Sequence, residues 1–201
     1  MPADITFEDR PRGYSRAARL IHWVMALIMI TMIIAGIWMA TGDLWGGKFP
    51  ALRGQLYDYH RGMGFVLLIL VVMRLIIKSR STPPSPLPPS IPPLQQKVAH
   101  FTHVMLYAAL ICHPLLGWYA TNAWGVKNIP IFGLFNLPTL AEKNRELGNF
   151  LLEIHGYIGF VIAALILIHI GAALMHQFIK KDGVLLRICL LYTSPSPRDR
   201  G

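Results

Sequence analysis

Charge is scarce in this chain. Asp, Glu, Lys and Arg make up 14% of its 201 residues, where soluble domains carry about 25%. Acidic residues are scarcer still, 10 against 19 Lys and Arg, which leaves a formal net charge of +9. So thin a solvating surface argues against an ordinary soluble enzyme. The basic excess does not indicate a nucleic-acid partner either, because long apolar runs cut the cations apart instead of leaving them spread over one face. Cysteine is nearly absent: Cys112 lies inside an apolar run and Cys189 follows the last one. Two such residues make no disulfide framework. Neither stands in a Cys-x-x-Cys-His signature, which rules out covalent haem attachment.

What the chain has instead is apolar length. Hydrophobic residues account for 54% of it, and four runs stand out: Leu20 to Ala40, Gly62 to Ile77 with an amphipathic lead-in from Leu56, Val98 to Ala120, and Phe150 to Met175. A span needs about 20 predominantly apolar residues. Lipid offers no partner to an open backbone, so these runs are expected to be helices. The first follows a basic stretch, but it is too long for the apolar core of a signal peptide and no small-residue cleavage site follows it. The fold class expected is all-α, an integral membrane four-helix bundle. The connections are a Gly/Trp/Pro loop over Thr41 to Arg53, a proline-rich stretch over Thr82 to Pro93 that cannot be helical, and a long segment over Thr121 to Gly148 expected on the membrane surface.

Lys and Arg sort by loop. One set of flanks holds eleven: Arg10, Arg12, Arg16, Arg19, Arg74, Lys78, Arg80, Lys97, Lys180, Lys181 and Arg187. The opposite loops hold six, Lys48, Arg53, Arg61, Lys127, Lys143 and Arg145, diluted by Asp43, Asp58, Glu142, Glu146 and Glu153. The positive-inside bias therefore predicts both termini in the cytoplasm. Residues 1–13 read as a cytoplasmic N-terminal segment and 14–188 as the bundle. The ending LLYTSPSPRDRG is unlike any membrane flank and resembles translated adapter or vector sequence, so residues 189–201 are set apart as a non-native or disordered tail.

All eight histidines fall within or at the edges of the spans: His22, His60, His100, His103, His113, His155, His169 and His176. Ionisable groups at such depths are costly and mark function. His155 and His169 are 14 residues apart, which returns to within about 40° of one helix face at about 21 Å of separation. Two ligands so placed would hold two b-type haems stacked across one bilayer. Matching depths pair His22 with His169, if the first helix begins near a Ser15 N-cap, and His60 with His155. Two neutral imidazoles give a saturated iron suited to electron transfer rather than oxygen chemistry at the metal. Gly62, Gly64, Gly156, Gly159 and Gly171 lie near these ligands, where they would admit a flat macrocycle or serve helix packing.

The segments SRAARLIHW (Ser15 to Trp23), YHRGMGFVLLILVVMRL (Tyr59 to Leu75), AHFTHVMLY (Ala99 to Tyr107) and EIHGYIGF with LIHIGAALMHQFIKKDGVLLR (Glu153 to Arg187) resemble the bacterial cytochrome b561 family. The resemblance covers about residues 14 to 188. It implies a four-helix, di-haem, quinone-linked protein of the bacterial inner membrane, with two non-covalent haems b on His22, His60, His155 and His169 and ubiquinone as substrate. It leaves room for superoxide oxidation with ubiquinone reduction, and for a homodimer or a redox partner. The tail after Ile188 departs from the basic ending expected of the family.

The remaining polar residues take lesser roles. His100 and His103 share a helix face at the cytoplasmic start of the third span and match the family's AHxxH pattern. A quinone headgroup or proton-relay site is the expectation there. Arg61, on the outer side and next to a ligand, is the candidate propionate partner that exceeds plain topological anchoring. Arg16, Arg19, Arg74 and Lys97 are weaker candidates. His176 is read as a propionate donor or headgroup residue, and His113, before Pro114, as satisfying the carbonyl that the proline frees. Trp23, Trp38, Trp45, Trp118 and Trp124 read as interfacial belts. Two rival classes stand beside electron transfer: the cytochrome b anchor of a larger dehydrogenase or hydrogenase, and a haem-free proton or metal transporter. The short loops weigh against the first, and a coloured protein would exclude the second.

Overall fold

The computed structural model describes residues 12–41 and 50–190. Arg10, Trp45 and Lys48, most of the N-terminal segment 1–13 and the tail from residue 191 lie outside the described residues. Four long helices carry the chain: α1 (Arg16–Thr41), α2 (Pro50–Arg80), α3 (Pro93–Trp124) and α4 (Arg145–Leu174). All four are long and apolar enough to cross a membrane. Each runs beyond its apolar stretch at one or both ends, because the backbone bonds of a helix are satisfied internally whether or not the flanking side chains are apolar. Pro50 to Arg53, expected in a loop, belongs to the start of α2, and Pro93, expected in the proline-rich linker, opens α3. Proline is suited to a first helical turn, where its missing N–H has no intrahelical partner to lose. Ser15 caps α1 as its position suggested, its Oγ accepting from the Ala18 N–H at 3.3 Å.

The helices close into a ring: α1 packs on α2, α2 on α3, α3 on α4, and α4 returns against α1. Little of any span is buried. Leu27, Ile34, Leu167 and Ile168 point outward and are more than half exposed, as expected where the surrounding solvent is lipid and an apolar exterior costs nothing. The α1–α2 seam is built on Met25 and Met32, two helical turns apart, against Leu67 and Val71. Gly64 lets this seam close, with Met32 Cε 3.7 Å from where a Cβ would stand. Across the same seam the Thr31 and Tyr59 hydroxyls share a 2.7 Å hydrogen bond.

The α3–α4 connection adds an element to the all-α expectation. Ile129–Ile131 (β1) and Phe135–Leu137 (β2) form an antiparallel hairpin with Ile131 opposite Phe135. Its turn is closed by the Leu134 N–H donating to Ile131 O at 2.9 Å and has positive φ at both Phe132 (50°) and Gly133 (74°), the central positions of a type I′ turn. Ile129, Ile131 and Leu137 are buried against Phe65, Trp118 and Val126, so the segment folds back on α2 and α3. Asn122, 1% exposed, holds it: its Nδ2 donates to Val126 O at 2.7 Å and its Oδ1 accepts from the Leu140 N–H at 2.9 Å. Asn144 then caps α4, accepting from the Leu147 N–H at 3.1 Å.

The opposite end of the bundle is tied by polar contacts. The Arg12 N–H donates to Ser85 Oγ at 2.9 Å, the Tyr14 N–H donates to Arg187 O at 3.0 Å, and Trp23 Nε1 donates to Ile188 O at 2.9 Å. The two described ends of the chain and the 81–92 linker therefore meet at one end of the bundle, and the hairpin stands at the other. Beyond α4, Met175–Lys180 forms a wider π-helical turn that stops at Lys181 in the left-handed region, φ 52°.

Candidate functional site

The ring of helices brings six of the eight histidines into two clusters. In one, His22 of α1 faces His169 of α4, ring centres 6.3 Å apart and planes at 66°. In the other, His60 of α2 faces His155 of α4, at 6.2 Å and 78°. α4 thus supplies one member of each pair, and two other helices supply their counterparts. Each cluster has a third imidazole from α3. His103 lies edge-on to His169 at 5.2 Å and 88°, and His113 lies flat against His155 at 3.7 Å and 4°.

These separations differ in what they can accommodate. Two imidazoles on opposite sides of one metal ion, each bonded through a nitrogen at about 2 Å, have ring centres about 6 Å apart. His22 with His169 and His60 with His155 fit that requirement. The stacked His113 and His155 rings, in van der Waals contact, leave no room for an ion between them. The Nδ1 atoms of His60, His113 and His155 are buried and meet no hydrogen-bond partner among the described residues. A buried, unsatisfied imidazole nitrogen is costly unless a ligand or a function accounts for it. Backbone close to the rings is glycine: a Cβ on Gly117 would stand 2.7 Å from His155 Cε1, and one on Gly36 3.6 Å from His60 Cε1.

The glycines singled out near the ligands divide. Gly62 receives the Phe132 ring, whose Cζ would lie 2.8 Å from a Cβ there, and Gly159 faces His113 Nε2 at 3.8 Å. Gly156 and Gly171 face open space, with nothing within 4 Å of an added Cβ. Gly36 and Gly117 approach the rings most directly, and sequence spacing does not single them out because each lies far along the chain from the histidine it serves.

Arg61 lies 3.4 Å from Asp58 and over the Tyr57 ring at 5.4 Å. Arg74 reaches inward from α2, its Nε donating to the Tyr107 hydroxyl at 3.1 Å and its guanidinium also bonding the Ala18 carbonyl. Arg19 is buried, and its Nη1 donates to Cys189 O at 2.9 Å. His100 is exposed on α3, and His103 Nδ1 bonds Ala99 O at 2.6 Å within its own helix.

Two expectations change. His176 does not face headgroups: it is 9% exposed, paired with Asp182, and bonded at 3.2 Å to Gln95, which in turn accepts from Lys180. It locks the end of α4 to α3. The His113 side chain bonds no carbonyl through Nδ1, because its ring has turned to lie on His155. The indoles also do more than line an interface. Trp118 Nε1 donates to Pro138 O at 3.0 Å and helps seat the hairpin, and Trp124 lies under the Arg145 guanidinium at 4.7 Å.

Comparison with known proteins agrees with this arrangement of four membrane-crossing helices. Residues 13–189 match the family model for prokaryotic cytochrome b561. The chain is 32% identical over 188 residues to cytochrome b561 homolog 2 of Escherichia coli K12, covering 92% of this chain and 95% of that protein. It is 34% identical over 183 residues to cytochrome b561 homolog 1 of the same organism, covering 87% and 96%. It is also 29% identical over 168 residues to the probable superoxide oxidase CybB of Yersinia pestis, covering 84% and 90%. With its four apolar helices, its histidine clusters and a family match that runs almost end to end, the chain belongs to the prokaryotic cytochrome b561 family, whose members bind haem b and transfer electrons in membranes.

Proposed function

We propose that the chain carries electrons across the bacterial inner membrane through two haems b and exchanges them with the quinone pool. His22 and His169 would hold one haem, His60 and His155 the other. The observation that carries this reading is the recurrence of one geometry, two facing imidazoles about 6 Å apart, at two places along α4. Each haem, when bound, supplies a one-electron iron couple. The protein contributes axial ligation, a low dielectric and a fixed separation.

The surrounding residues have their own parts in this reading. Arg61, one residue from His60, is the proposed propionate partner on the hairpin side. Its exposed pairing with Asp58 is worth only about 0–1 kcal/mol, so the guanidinium is cheaply redirected. Arg74, anchored near His22, would serve at the other end. His100 and His103 sit where α3 begins, with His103 against His169, which supports a quinone-headgroup or proton-relay role at that end. The end that gathers residues 12–15, the 81–92 linker and residues 181–190 carries most of the cations, which supports placing it in the cytoplasm.

The name of the Yersinia pestis relative, a probable superoxide oxidase, supports superoxide as an electron donor, and the proposed orientation puts that donor at the hairpin side. Two superoxide ions would each give up one electron and leave as dioxygen, and one ubiquinone would take both electrons with two protons to become ubiquinol.

Purified protein reduced with dithionite is expected to show b-type α-band absorption and about two haems per chain. His22→Ala and His169→Ala should each remove the same haem, and His60→Ala and His155→Ala should each remove the other. A colourless protein, or loss of haem on His176→Ala instead of His169→Ala, would overturn the assignment. Superoxide-dependent reduction of a soluble ubiquinone analogue, absent without superoxide, tests the donor.

A further inference from the structure

We infer that His113 is a positioning residue: it fixes the plane of the His155 imidazole and, through it, the electronic character of the haem that His60 and His155 would share. The inference rests on that ligand pairing. It goes beyond the pairing by assigning a role to a histidine outside it.

The sequence places His113 and Gly117 one helical turn apart, on one face of α3, and α4 lays His155 into the slot they form. His113 provides its wall, ring against ring at 3.7 Å with planes within 4°. Gly117 provides its floor, open only because it lacks a Cβ, which would stand 2.7 Å from His155 Cε1 and 3.1 Å from Nδ1. A metal-bound histidine ordinarily has its ring plane set by a hydrogen bond from its second nitrogen to a carbonyl or carboxylate. Here the His155 Nδ1 meets no such partner among the described residues, and the ring is held instead by residue 113, through the flat contact with the His113 imidazole and an interaction with the His113 backbone. His113 also lines an apolar cavity of about 310 Å³ with Met105, Cys112, Leu116, Ile158 and Ile162.

The plane matters because His155 and His60 are nearly perpendicular, at 78°. In a low-spin ferric haem the angle between two axial imidazole planes sets the splitting of the iron d orbitals, and the highest g value of the electron paramagnetic resonance spectrum rises as the planes approach perpendicular. A side chain that pins one ring therefore leaves a spectroscopic mark that a general packing role would not.

The test is ferric resonance spectra of the purified full-length protein. The wild type should show two low-spin signals, and the one lost in His155→Ala belongs to the His60–His155 site. His113→Ala should shift that signal to lower g while leaving the other in place. His113→Phe, which keeps a flat face on the ring, should restore it. Gly117→Ala, which pushes the ring from below, should displace the same signal. The inference is overturned if His113→Ala leaves the signal where it was, or if His113→Phe moves it as far as His113→Ala does. Should His113→Ala lose the haem, retention in His113→Phe supports the role and loss in both overturns it. A wild type lacking any low-spin signal sensitive to His155 would overturn the ligand pairing itself, an outcome separate from either of these.

Discussion

Two glycines in this chain tolerate a methyl group differently, and the difference lies in what each one meets. A Cβ on Gly148 would fall 2.4 Å from the backbone N and 2.5 Å from the Cα of Trp124. Backbone at the start of α4 and the end of α3 cannot step aside, since the Asn144 N–H donates to Ala123 O at 2.9 Å just beside it. A Cβ on Gly62 instead meets the far end of the Phe132 ring, which rides on an exposed hairpin turn. Overpacking at an unyielding site costs about 1–3 kcal/mol. Gly148→Ala should therefore lower the midpoint of thermal unfolding in detergent by several degrees, and Gly62→Ala should move it much less. The sequence offers no way to rank these two residues. Small residues at helix ends and near ligands look alike until the neighbour opposite is known.

At the scale of elements, hydropathy and capping made the four helices legible, and tertiary contacts alone accounted for the rest. Ser15 as a cap, the proline-rich break and the apolar runs are local signals and could be read locally. The hairpin could not. β1 and β2 have three residues each, too short to display an alternating pattern, and they are held by burial of Ile129, Ile131 and Leu137 on side chains from α2 and α3. Asn122, the residue that shapes the segment, is indistinguishable in sequence from any polar residue at a helix end. Asn122→Ala would leave the Leu140 N–H and the Val126 carbonyl without their partner. A fully buried group so abandoned costs about 1–3 kcal/mol and these part-buried ones less, enough that the hairpin should become accessible to limited proteolysis between Val126 and Leu140 while the helical content in far-ultraviolet circular dichroism stays unchanged.

For the whole molecule, the four spans bring both described ends to one end of the bundle, together with the 81–92 linker, and put the hairpin at the other. The excess of Lys and Arg on the first group is the pattern the positive-inside rule assigns to the cytoplasm, and the proposed orientation rests on it. In a background with Cys112 and Cys189 replaced by Ser, a cysteine introduced at Ser90 should be labelled by an impermeant maleimide only after the inner face of spheroplasts is opened, and one at Leu134 should be labelled from outside. The reverse pattern would invert the orientation and move the proposed superoxide-facing site to the cytoplasm.

The sequence by itself determined that this is a four-span membrane protein with histidines at two depths along its spans. Lipid leaves a long apolar segment no alternative to the helix, and a histidine's depth follows from its distance along that helix. Depth along the spans already paired His22 with His169 and His60 with His155, and only the tertiary structure decided how closely the rings approach and which third imidazole joins each pair. Distances between helices depend on side-chain packing, and no spacing within one helix records them. That packing brings the rings of His22 and His169, and those of His60 and His155, to about 6 Å. It also lays His113 on His155 and turns His176 away to clamp the end of α4.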